Sequence, residues 1–223
     1  MKAKPSSPKI SINGAQESES TQPFQLRISL HIAETARPGQ AITICTNKSV
    51  FAPSDPTGQL DTLARGTVSF FSTSDTSRRI NLGQFITHTA RAETPPSPDL
   101  KERASTHLLT IPANGEIEIA HDLPLDRMFR YSDRLHADDV VGEIWQLKLR
   151  EGYIGTSWWC WGDLDADLKD KRLSAWHAGM RSEFMRRPEI VGDEWVLGCN
   201  PVELVFEDRT EDSTFRFVRD CEV

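Results

Sequence analysis

The chain has 223 residues, 38% of them hydrophobic and 26% charged, with a formal net charge of −7. That is enough apolar content for one domain with a real core, and an acidic balance that makes nucleic acid a poor partner. The opening MKAKPSSPKISINGAQESESTQP lacks the apolar centre of a signal peptide, and nowhere do about eighteen apolar residues run together as a membrane span requires, so a cytoplasmic protein is expected.

Residues 1–22 are rich in Ser, Pro, Lys and Glu and read as a disordered tail ahead of one domain over 23–223. Phe24, Leu26, Ile28, Leu30 and Ile32 alternate with polar residues, the period of a half-buried strand, and place His31 on the solvent side. Arg37-Pro38-Gly39 reads as a turn, Ala41 to Thr46 as a β-branched strand and Gly66 to Phe71 as another. Ile80 to Gly83 and Phe85 to Thr87 have strand character, whereas 92–103, with Pro95, Pro96 and Pro98, reads as a mobile loop. His107 to Ile111 and Glu116 to Ala120 flank Asn114-Gly115, a turn signal that predicts a hairpin.

The stretch Gly142 to Gly162 holds four of the six tryptophans. Trp145, Leu147 and Leu149 alternate with Gln146, Lys148 and Arg150, so this arm has one apolar face. In WWCWG, Trp158 and Cys160 point one way and Trp159 and Trp161 the other. A strand apolar on both faces must be covered on both. Beyond it, Leu164, Leu168, Leu173, Trp176 and Met180 recur at helix-like spacing in a charged segment, 163–187. That segment is expected to be a helical or irregular insertion packed on the outer face of Trp159 and Trp161. Strands resume at Glu194 to Leu197, Val202 to Phe206 and Thr214 to Val218. The expected fold is an all-β antiparallel β-sandwich, immunoglobulin-like in general architecture, with a closed barrel as the alternative.

The segments ITICTNKSVF, RGTVSFF, GEIWQLKL and WWCWG resemble those of uncharacterised short fungal β-rich proteins, over most of the chain after residue 22. The resemblance implies a sandwich-like fold and brings no known activity.

Several constellations offer chemistry. Asp163, Asp165 and Asp167 repeat the first ligand positions of a calcium loop, but Leu168 stands where glycine is needed and Ser174 where a bidentate glutamate belongs. An acidic helix start is the better reading. His136-Ala137-Asp138, His177 and Arg187 imitate the H-x-D…H…R order of iron oxygenases that use 2-oxoglutarate. Only two clear strands separate Asp138 from His177, too few for a site drawn from distant strands of a barrel. The carboxylates Asp133, Asp138, Asp139 and Glu143 gather before the central strand, where a converging pair would suit acid–base work but a charged loop is commoner. No nucleophile elbow, Walker loop or dinucleotide fingerprint is present. The widely spaced Cys45, Cys160, Cys199 and Cys221 suit free thiols rather than a zinc site.

The tryptophans carry the functional expectation. Trp145, Trp158 and Trp195 are assigned to the core, while Trp159, Trp161 and Trp176 either form a second structural core or, in the functional reading, line an apolar pocket for a small molecule. His177 and Asp138 would be its polar groups, and no metal or cofactor is expected. The pocket would serve binding or a non-redox cyclisation or isomerisation in specialised metabolism. The alternative is a non-catalytic protein-interaction module that uses a sheet edge or the 92–103 loop.

Overall fold

The alternation from Phe24 to Ile32 becomes the long strand β2 (Phe24–Glu34), whose Leu26, Ile28 and Leu30 are fully buried. The computed structural model describes residues 9–14, 24–53, 62–83, 96–104, 106–123, 128–130, 135–176, 192–210 and 213–218. In it β2 pairs on one side with β7 (Glu116–Leu123), antiparallel from Phe24↔Leu123 to His31↔Glu116. On the other side it meets β1 (Lys9–Gly14), which in turn runs parallel to β12 (Val205–Asp208). Order thus starts inside the segment read as a tail, because Lys9-Ile10-Ser11-Ile12 has a short period-two pattern and β2 has a free edge to pair it.

A second sheet runs β13 (Thr214–Arg216), β8 (Ile144–Leu149), β4 (Val68–Ser72), β5 (Arg79–Asn81). A third runs β6 (Leu108–Ile111), β3 (Ile42–Cys45), β9 (Trp159–Trp161). One apolar core joins all three: Leu26, Ile28 and Leu30 meet Ile42 and Ile44, Phe70, Trp145 and Leu147, Trp159 and Phe215. Largely antiparallel sheets facing across one core make the chain an all-β, sandwich-type domain. Helical structure among the described residues is limited to short turns such as Leu100–Glu102 and Ala137–Val140, and none of their helices is long and apolar enough to cross a membrane.

Three local expectations change. β6 and β7 do not form a hairpin. Pro112, which has no N–H to donate, ends β6, and the turn at Gly115 (φ +103°) carries the chain from the third sheet to the first. The described part of the 92–103 loop, 96–103, is anchored: Leu100 and Asp99 are buried, and Asp99 accepts the N–H groups of Lys101 (3.1 Å) and Leu173 (3.0 Å). The described part of the insertion, 163–176, is not helical. Turns over 164–170 lead into β10 (Arg172–Ser174), which runs parallel to β11 (Trp195–Leu197). The aspartates explain the turns. Asp163 Oδ1 accepts the N–H groups of Asp165 and Ala166, and Asp167 Oδ2 accepts that of Asp163, so side chains take donors that a helix would leave to its backbone.

Candidate functional site

β9 has the two apolar faces that its sequence requires. It pairs antiparallel with β3 through Ile42↔Trp161, Thr43↔Cys160 and Ile44↔Trp159. Trp159 sits in the main core at 2% exposure, with Trp161 packed edge-on against it at 5.5 Å between ring centroids. The Trp159 indole N–H donates to Asn200 O at 2.9 Å. The opposite face builds a second, smaller core from Cys45, Leu100, Trp158, Cys160, Leu168 and Leu173, with Leu164, Trp176 and Val196 at its margin. There the Trp158 indole N–H donates to Ser174 O at 2.8 Å. A Cβ on Gly198 would lie 1.9 Å from that indole nitrogen, so only glycine leaves the ring its place.

The described part of the insertion therefore covers the Trp158 and Cys160 face, whereas the sequence assigned it to the Trp159 and Trp161 face. Trp176 belongs to the second core and Trp159 and Trp161 to the first, so the three rings do not converge on one pocket. Trp161 is half-buried and carries the Arg37 guanidinium over its ring at 5.1 Å. Trp195, assigned to the core, is half-buried too and lies under the Arg172 guanidinium at 4.3 Å. His177 lies outside the described residues, as does Asp133. Asp138 is exposed in the turn Ala137–Val140 that leads toward β8, a strand of a different sheet from β9. Of the other carboxylates there, Asp139 Oδ2 accepts the N–H of His136. Glu143 accepts the hydroxyls of Ser72 and Ser74, and its Oε2 lies 3.3 Å from Arg78 Nη2. These contacts tie the β4–β5 turn to the start of β8. Among the described residues, no group of three or more His, Cys, Asp or Glu could hold a metal ion.

A cleft opens elsewhere, at the seam between the first two sheets. Thr73 N–H donates to Ile144 O and Arg150 N–H to Thr67 O, so the even-numbered residues of β8 bond toward β4. Its odd-numbered residues face the other edge, where Leu147 N–H reaches Ser213 O at 2.9 Å and, among the described residues, β13 pairs with β8 as far as Gln146. β12 is the edge strand of its own sheet, with Phe206 and Asp208 half-buried and Val205 and Glu207 turned out. Between these two edges lies a half-open cleft of about 520 Å³. Leu147, Leu149, Ile154 and Phe206 form its apolar wall, and Gln146, Lys148, Glu151, Asp208 and Thr210 supply polar groups.

Sequence reasoning named none of these as site residues. Leu147 lies on a segment read as a strand that is one, and Phe206 on one read as a strand from Val202 that is a turn over Pro201–Glu203 and a strand only from Val205, but their meeting depends on how the sheets pack. Comparison with family models, with curated proteins and with solved structures finds no match to this chain.

Proposed function

We propose that this domain binds a small organic molecule, and that the seam cleft between β8 and β12 is its site. The observation that carries the reading is the cleft itself: about 520 Å³, within the size range of small-molecule sites, with an apolar wall and a few polar groups along one side. The tryptophans support it indirectly, by holding the sheets whose edges form the walls. Binding is the core of the proposal. Cyclisation or isomerisation of the bound molecule would need Glu151 or Asp208 as the proton carrier, since these are the carboxylates of the lining. The free thiols of Cys45, Cys160 and Cys199 support a reducing, cytoplasmic setting, and the fungal resemblance and a place in specialised metabolism belong to the same proposal.

A methyl-labelled sample titrated with a panel of amphipathic metabolites tests it. A binder should shift the methyl signals of Leu147, Leu149 and Ile154, and Ile154→Trp, which fills the cleft from a half-buried position, should weaken binding by roughly tenfold or more. Shifts confined to other methyls would exclude the cleft as the site.

A second reading, a protein-interaction module, draws on the β12 edge and the turn before it, where Val205 is 41% and Val202 81% exposed. Val205→Lys would then abolish capture of a stoichiometric partner and leave methyl shifts from small molecules intact.

A further inference from the structure

The charges around the cleft are not balanced where a ligand would meet them. Among the described residues its lining holds one cation, Lys148, and two carboxylates, Glu151 and Asp208. The Lys148 ammonium lies over the Phe71 ring of β4 at 5.8 Å, a contact that draws its charge toward β4. Asp208 stands at the end of β12 on the half-buried face, next after Phe206 on that face. One of its oxygens accepts the Thr210 N–H at 2.9 Å, which fixes the carboxylate of this lining residue. Among the described residues, neither Asp208 nor Glu151 forms an ion pair. The nearby Arg209 is held by Glu207, at 3.3 Å on the outward face of β12.

An apolar wall of Leu147, Leu149, Ile154 and Phe206 beside two carboxylates that form no ion pair among the described residues is complemented by an apolar body that ends in a cation. Resting on the site proposed above, we infer that the ligand is an amphipathic amine, its hydrocarbon or aryl part against Phe206 and Leu149 and its ammonium donating to Asp208, with Glu151 adding field at the mouth. A carboxylate ligand would meet like charge at the same place and is selected against.

Three probes with one apolar body separate this inference from the reading it rests on: 3-phenylpropylamine, 3-phenylpropan-1-ol and 3-phenylpropionate, each titrated into the full chain with the Leu149 and Ile154 methyl signals as readout. The amine is expected to bind about tenfold more tightly than the alcohol, to weaken as salt is added, and the acid not to bind. Asp208→Asn keeps an oxygen for the Thr210 N–H, so the fold is retained, and should cost the amine about tenfold in affinity while leaving the alcohol unchanged. Equal affinity of amine and alcohol, or amine affinity within about twofold of the parent in both Asp208→Asn and Glu151→Gln, would overturn the amine inference and leave the cleft standing. If none of the three probes moves these methyls while other members of the metabolite panel do, the amine inference falls alone. If nothing moves them, the cleft falls with it.

Discussion

Trp158 and Trp159 are neighbours in the chain, yet their indole N–H groups reach Ser174 O and Asn200 O in two different cores. That division decides what a truncation costs. Trp159 is 2% exposed and hydrogen-bonded, so Trp159→Ala removes a packed ring and leaves Asn200 O without its donor, an expected loss of about 3–5 kcal/mol. Trp145→Ala, at the fully buried centre of the same core, should fall in the same range and serves as the control. Trp161, half-buried under Arg37, should lose clearly less, about 1–2 kcal/mol. Denaturant unfolding of the three variants checks the order. A Trp159→Ala protein as stable as Trp161→Ala would mean that Trp159 is not the core residue described.

At the scale of elements, the short β10–β11 pair and the anchored loop depend on one carboxylate. Asp99, 5% exposed, accepts two backbone N–H groups, from Lys101 and Leu173, and lies 3.6 Å from Arg172 Nε. The Arg172 guanidinium is partly exposed, so its ion pairs with Asp99 and Glu102 add little compared with the buried amide bonds. Asp99→Ala leaves both N–H groups unsatisfied, with an expected cost of about 1–3 kcal/mol. Amide exchange should show the effect as faster opening at Leu173 and Lys101, with β2 and β7 unaffected. Uniform acceleration across all strands would show that the loop and β10 are not a separate unit. The strands themselves were legible because their alternation is local: Trp145, Leu147 and Leu149 are buried as their spacing requires. The insertion was misread because Leu164, Leu168 and Leu173 keep helix-like spacing while Asp163 and Asp167 bind the local backbone instead.

For the whole molecule, the second core sets a dependence on pH. Burial raises the Cys160 thiol to about 12, with the nearby Cys199 adding to the shift and Lys101 opposing it. Burial also raises Cys199, and Glu203 contributes. A thiol held protonated in the fold binds its proton over a range where the unfolded chain has lost it, so the fold loses stability as pH rises through that range. The contribution of Cys160 is complete below the ordinary thiol value of 9.0 and is lost between there and about 12. Chemical unfolding between pH 8 and pH 10.5 should thus show a falling midpoint, with a shallower fall in Cys160→Ala than in the parent. Equal slopes in the two proteins would place the Cys160 thiol in contact with water.

Alternation along each segment determined the all-β class, and the two apolar faces of β9 required a covering layer on each side, because side-chain direction in a strand follows from period two alone. The order of strands, and with it any immunoglobulin-like topology, is not written in that period. Tertiary structure decided that β6 and β7 part into different sheets, that the described part of the insertion covers Trp158 rather than Trp159, and that β8 and β12 line one cleft. Its residues, Leu149 and Asp208 among them, lie far apart in the chain and are near in space only through the way the two sheets pack.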